Sequence, residues 1–457
     1  MRCGAVVPRG RSTVAPTNRE FEVRDSTMRH LSRTTLTVSA GMAAVLTLAS
    51  CGGGGGGGGG GDGEIELTIA TFGSMGYEAL LEEYEEQNPG ITIVQQHTGR
   101  SPAHHQNLFQ KLGAGSGLSD IEAVEEGHMA RARSASSRFH DLNEIGPEGL
   151  DDRWQEWKYT AGQDAEGRLI GYGTDMGPLA MCYRQDLFEE AGLPSDPEEV
   201  APLFETWEAY FEAGDEFTSA DIGSAWFDNG SQVFNAMNNQ LEFGYYDAED
   251  NLIVESNEDV RHNWDRVGEA IEGGQSAGLA AFSNEWENGF ADSAFATKTC
   301  PAWMMGPIKE HSGDEHAGKW AISPTFPDGG GNWGGTYLTV PTQSEHPEEA
   351  AELAAWLTAP EQQIRAFVAE GPFPAQVEAL DMEELLEHRD DYFATPDVGP
   401  LFSEAAKQIE RAQYKGPSDG DLQDNVFGPA IQTIEQGLAS PDEAWEQAVR
   451  GANELEN

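Results

Sequence analysis

The 457-residue chain carries 79 Asp and Glu against 27 Lys and Arg, a formal net charge of −52. A field of that sign repels nucleic acid and anionic lipid headgroups and excludes both as partners. Hydrophobic residues at 38% and 11 tryptophans allow a real core, and a body of about 400 residues implies about two domains.

Residues 1–50 read as an export segment, with the signal peptide at 28–50. Arg29 and Arg33 supply its basic region, and Thr34 to Leu48 form an apolar stretch shorter than the ~20 residues a membrane span needs. Leu48-Ala49-Ser50-Cys51 resembles the lipobox of bacterial lipoproteins. That resemblance implies cleavage before Cys51, acylation of its thiol, and anchoring at the outer face of the cytoplasmic membrane; the alternative is an ordinary signal peptide with a chance cysteine. Within residues 51–63, the run from Gly52 to Gly61 buries nothing and serves as a tether, with a reach of roughly 20 Å. Of four cysteines, Cys3 leaves with the leader and Cys51 is lipidated, so Cys182 and Cys300 remain. An oxidising exterior favours their pairing, the alternative being two separate buried thiols.

Further along, Ile65, Leu67 and Ile69 alternate with polar residues as in a half-buried strand that ends at Phe72-Gly73. Tyr77, Leu80, Leu81 and Tyr84 share one face of a helix stopped by Asn88-Pro89-Gly90. Ile91 to Val94 form a second strand, Pro102 to Leu112 a helix, and Ile121 to Val124 a third strand that delivers Glu125-Glu126 at its carboxyl end. This β-α-β-α-β order predicts an α/β fold with a parallel sheet whose ligands sit beyond the strand ends. A Trp-rich helical segment at 151–160 leads through a hairpin-like turn at Asp164 to Gly167 into an apolar strand, Leu179 to Tyr183. Phe204, Trp207 and Phe211 read as core residues of a helix, and Ile222 to Trp226 as a strand. Helices follow at about 232–240 and 257–271, then strands at Phe295 to Thr299 and Tyr337 to Val340. Thr358 to Glu361 and Ser440 to Glu443 both read as capping boxes.

Asn88-Pro-Gly-Ile91, the stretch Tyr183 to Leu193, Trp333-Gly-Gly335, Pro347 to Ala351 and Trp356 to Glu361 stand in the order found in family 1 extracellular solute-binding proteins. The chain resembles these lipid-anchored carbohydrate receptors of ABC importers, related to maltose-binding protein, over nearly all of residues 64–457. Within the family it looks most similar to actinobacterial receptors of the cellobiose-binding type. The resemblance implies a two-lobe, type II periplasmic-binding-protein-like fold whose lobes are joined by hinge crossings. With crossings at Asp175 to Leu179, Trp333 to Tyr337 and Gly371 to Pro374, one lobe comprises 64–177 and 336–372, and the other 178–335 and 373–457. Both Cys182 and Cys300 then lie in the second lobe.

A sugar presents apolar C–H faces and hydroxyl donors, so a receptor needs flat aromatics and ionised or amide acceptors. Trp303, after a strand, and Trp333, on a glycine-flanked crossing beside Asn332, are the expected stacking group. Either Glu125 or Glu126 points inward, with the other facing out. Asp175 at the first crossing accepts hydroxyls or caps its turn, and Phe72 and Gly73 form a floor. Trp226, Asp228 and Trp286 offer an opposing wall. The expected partners are an oligosaccharide and ABC permease subunits, with the receptor a monomer and no cofactor, metal or catalytic residue. Two alternatives stand beside it: a secreted lipoprotein glycoside hydrolase, since paired carboxylates near aromatics also serve glycosidases, and a same-fold receptor for a non-sugar solute or metal.

Overall fold

The computed structural model describes residues 64–409 and 411–456. The expected export segment, lipidated Cys51 and glycine tether lie outside the described residues. Ile65–Thr71 (β1), Ile91–His97 (β2) and Ile121–Glu125 (β3) alternate with helices Glu78–Gln87 (α1) and Ser101–Ala114 (α2), and a third helix, Glu126–Ser134 (α3), starts where β3 ends. The strands are parallel, with Ile65 opposite Ile91 and Ile69 opposite Ile121. Leu80, Leu81 and Tyr84 are the buried face of α1, as their spacing requires.

The later strands among the described residues are Tyr172–Gly173 (β4), Asp175–Met176 (β5), Leu179–Arg184 (β6), Ala225–Phe227 (β7), Phe295–Pro301 (β8), Trp320–Ser323 (β9), Thr336–Thr339 (β10) and Phe373–Pro374 (β11). They complete a first sheet of order β2-β1-β3-β10-β4 and build a second of order β7-β8-β6-β9. The two sheets anchor two lobes. In the second sheet β6 is buried along its whole length. Its residues alternate between two cores, Met181 and Tyr183 in one, Ala180 and Cys182 in the other. Helices on both faces explain why such a strand reads as an unbroken apolar run. The sulfurs of Cys182 on β6 and Cys300 on β8 are bonded at 2.06 Å, within this one sheet.

Between the sheets the chain passes twice, and a third connection through β11 leads into the C-terminal helices. The chain leaves the first sheet at β4, runs through β5, which pairs with β11 with Met176 opposite Phe373, and enters the second at β6. It returns between β9 and β10. Two of these connections touch backbone to backbone: Trp333 N–H donates to the Gly177 carbonyl at 2.8 Å. A Cβ on Gly177 would stand 1.9 Å from the Trp333 carbonyl oxygen, so no other residue fits there.

Three local expectations need correction. The strand expected at Ile222 to Trp226 is Ala225–Phe227, which puts Trp226 in its middle. Thr358 does not cap the helix Pro360–Glu370, whose N-cap Ala359 makes no side-chain bond. Its hydroxyl instead donates back to the Ala354 carbonyl at 2.9 Å, closing the preceding helix. The Trp-rich segment is helical only over Glu156–Ala161. At Ser440 the capping box is present in both directions.

Candidate functional site

The first wall is built where β3 runs into α3. Glu125 ends the strand, and its Oε2 accepts the Gly127 N–H at 2.8 Å, capping α3. Its own N–H donates to His105 Nε2 at 2.9 Å. Oε1 carries no hydrogen bond among the described residues and faces Gly334, where a Cβ would stand 3.8 Å from it and 3.3 Å from Trp303 Nε1. An acceptor on one lobe and an indole on the other thus converge over one glycine of a crossing.

Glu126 has the opposite fate. Both its oxygens lie 3.1 Å from Asn332 Nδ2, and Lys158 Nζ is 3.5 Å away. Asn332 also donates to the Gly334 carbonyl and accepts the Gly177 N–H, each at 2.9 Å. Its amide therefore staples two crossings to the end of β3, and with 1% exposure it has no face for a ligand. Asp175 is turned inward as well: it is buried, accepts from Thr174 Oγ1 at 2.5 Å and feels the Lys158 charge. Asn332, expected in ligand contact, and Asp175, expected either to accept hydroxyls or to cap its turn, are internal fasteners of the crossings. Of the two glutamates, Glu125 is the one with a free oxygen.

Trp303 is half-buried, and its Nε1 donates to the Trp333 carbonyl at 3.0 Å. The Trp333 ring stands edge-on to it at 5.8 Å between centroids but is itself 8% exposed, packed in the second lobe with Lys298 Nζ 5.9 Å from its centroid. Phe282 stacks beside Trp303 at 6.4 Å, from a loop where its own φ is +60°. A bulky residue in the left-handed region marks local strain. On the far side of the first sheet's carboxyl edge, Phe72 closes β1 and touches the rings of His104 and His105 at 5.3 and 5.2 Å, while Gly73 is exposed. His105 stacks on His128 at 4.0 Å, so a row of rings links Phe72 to the strand end that carries Glu125.

The opposing wall comes from the C-terminal part of the chain. Lys415 contacts Asp419 Oδ1 at 3.3 Å and the Gln413 amide oxygen. Its charge makes both Glu125 and Glu126 easier to ionise. Burial works the other way and dominates: it pushes the Glu125 carboxyl up to about 8, helped by the neighbouring Glu126 charge. Asp424, whose charge also raises Glu125, is pushed up to about 6 by burial and then by Asp421.

Trp226, Asp228 and Trp286 do not join this site. Trp226 is fully buried against Phe188 and Tyr210, each 5.2 Å away. Mid-strand placement aims its side chain into the core instead of past the strand end. Asp228 accepts from Trp286 Nε1 at 2.7 Å and pairs with Lys298 at 3.0 Å, all three side chains sealed within the second lobe. Sequence reasoning missed Phe282, Lys158, Lys415 and Asp419. None of the four has a local signal, because each reaches the crossings only through tertiary packing. What remains can offer a free carboxylate oxygen beside half-exposed aromatic rings, which suits a molecule with hydroxyl donors and apolar C–H faces.

The chain matches the family model described as bacterial extracellular solute-binding protein over residues 75–364. It is 28% identical over 332 residues to the arabinooligosaccharide-binding protein of Bacillus subtilis (strain 168), covering 68% of this chain and 73% of that relative. A crystal structure of an extracellular solute-binding protein of family 1 superposes with TM-score 0.78 at 44% identity, covering 86% of this chain and 100% of the other. The ABC-transporter-associated binding protein of B. animalis subsp. lactis Bl-04, in complex with β-1,6-galactobiose, has the same fold, with TM-score 0.71 at 18% identity over 85% of this chain and 98% of that one.

Proposed function

Because the chain belongs to the family of bacterial extracellular solute-binding proteins, we propose that it is the receptor of a carbohydrate ABC importer that captures an oligosaccharide between its lobes. The observation that supports this reading is the convergence of the unpartnered Glu125 Oε1 and the Trp303 indole over Gly334. Trp303 and Phe282 stack on the sugar's C–H faces, Glu125 accepts its hydroxyls, and Phe72 and Trp333 border the site. The lobes are 64–177 with 336–372, and 178–335 with 373–457. Each crossing absorbs backbone rotation as they close. Cys51 carries the lipid that holds the receptor outside the membrane, as a monomer, where the closed form meets the permease subunits. The sugar is released chemically unchanged.

The relative from Bacillus subtilis binds, by its name, arabinooligosaccharides, so such pentose oligomers are the first ligands to try. Isothermal calorimetry with arabinotriose, β-1,6-galactobiose and cellobiose should give saturable heat with at least one of them, and chromatography should recover that sugar intact. No heat from any sugar would remove the carbohydrate reading, and cleavage products would replace the receptor by a hydrolase.

A further inference from the structure

Two ion pairs join the lobes away from Glu125 and Trp303. Arg131 on α3 reaches Asp421 at 2.7 Å, and Arg100, just before α2, reaches Glu287 on the helix Asn284–Ala291. α3 packs on the first sheet through Met129 and Ala132. The short helix Asp419–Leu422 packs on the second lobe through Leu422. The two helices meet glycine to glycine: a Cβ on Gly127 would stand 3.5 Å from Gly420 Cα.

Gly420 lies directly against the His128 ring. A Cβ there would stand 2.5 Å from Cε1 and 2.8 Å from each ring nitrogen. Gly420 has no left-handed φ, so its own helix would accept alanine, and the contact that forbids a side chain belongs to the opposite lobe. The helix that holds Gly420 runs directly into a five-residue π-helix, Gln423–Phe427, a rare feature that recurs at functional places.

We propose that Gly420, seated on His128, is the positioning residue that sets how far the lobes close, with the Arg131–Asp421 and Arg100–Glu287 pairs holding the closed state. The proposal rests on the preceding reading of a cleft that shuts on a solute. A side chain at position 420 props the lobes apart, keeping Lys415 and Trp303 away from Glu125, and so lowers affinity without touching the ligand. The ion pairs are partly exposed, with 43% and 28% exposure at Arg131 and Asp421, so their contribution is small and screened by salt.

The test compares wild type, Gly420→Ala and Gly420→Ala/His128→Ala by small-angle X-ray scattering and calorimetry, free and with arabinotriose, β-1,6-galactobiose or cellobiose in excess. Gly420→Ala should melt at or above the wild-type temperature, keep a larger radius of gyration and bind about tenfold or more weakly. Removing the His128 ring in the double variant should restore compaction and most of the affinity. Arg131→Gln should weaken binding by about two- to fivefold at low salt and by nothing measurable in 1 M NaCl. Wild-type compaction and affinity in Gly420→Ala would overturn the proposal and leave the receptor reading standing. Loss of compaction that the double variant fails to restore would overturn the His128 contact. A wild type that neither compacts nor binds any of the three sugars would overturn the cleft reading and this inference with it.

Discussion

Two buried carboxylate–lysine pairs lie on either side of the crossings, and they differ in what surrounds them. Asp228 and Lys298 are both within the second lobe, 3.0 Å apart, with the Trp286 indole and Gln232 completing the set. Glu126 and Lys158 are both in the first lobe, 3.5 Å apart, and Asn332 ties Glu126 to the crossings through Gly177. Beside the first pair every ring is sealed. Beside the second stand a free oxygen of Glu125 and the half-exposed Trp303. Buried charge is therefore no marker of a binding site by itself, since paired charges also serve as scaffold. Asp228 Oδ1 also lacks a hydrogen bond but is fully buried, so the better marker is an unpaired oxygen on a half-buried residue, as at Glu125.

The comparison can be broken most forcefully at Lys298. Lys298→Met leaves Asp228 buried without a counter-charge and should lower unfolding free energy by about 3–5 kcal/mol in urea titration. A change within error would mean that the pair is no scaffold. Trp226 and Trp303 sharpen the contrast on the aromatic side. Trp226→Ala empties a core and should cost about 3–5 kcal/mol of stability. Trp303→Ala should instead weaken binding by about 2 kcal/mol in calorimetry, with a smaller loss of stability. Equal binding by the Trp303 variant would remove it from the site.

The same contrast explains what could be read in the sequence. The first sheet was legible because its strands and helices alternate with clean periods, and Glu125-Glu126 sit visibly at a strand end. The crossings at Asp175 to Leu179, Trp333 to Tyr337 and Gly371 to Pro374 came from the family resemblance, and the glycines and prolines there suit such connections without marking them. The aromatic assignments split for a geometric reason. Trp303 follows the end of β8 and turns toward the crossing, whereas the strand holding Trp226 starts later than its composition suggests, and in a strand a shift of one residue reverses the side-chain direction. Asn332 and Asp175 were correctly placed near the crossings, but whether a side chain there faces ligand or backbone depends on partners more than 150 residues away, such as Gly177 for Asn332. Lys415 and Asp419 carry no pattern at all. Their place is set by how the C-terminal helices pack against the second lobe.

The smallest effect concerns protons. Burial pushes Glu125 up to about 8 from an ordinary value of 4.5, so between those pH values the folded protein holds a proton that the unfolded chain has released. Stability contributed in this way is complete below pH 4.5 and is lost as pH rises through 8. Glu122 and Glu435, each pushed up to about 7 by burial, act in the same direction. His128, lowered to about 4 by burial and then by Arg131, acts in the opposite one: its contribution is complete above 6.5 and is lost as pH falls toward 4. Between pH 4.5 and 6.5 the three carboxyls outweigh the one imidazole, so the stability these groups contribute should be highest near about pH 4.5 and decline toward pH 8. Glu125→Gln should make that alkaline decline shallower without abolishing it, because Glu122 and Glu435 remain. A hydroxyl donated to Glu125 favours its charged form, so sugar binding at pH 7 should release a fraction of a proton, seen as a dependence of calorimetric heat on the buffer's ionisation enthalpy. Release that persists unchanged in Glu125→Gln would move the hydroxyl acceptor to another carboxylate.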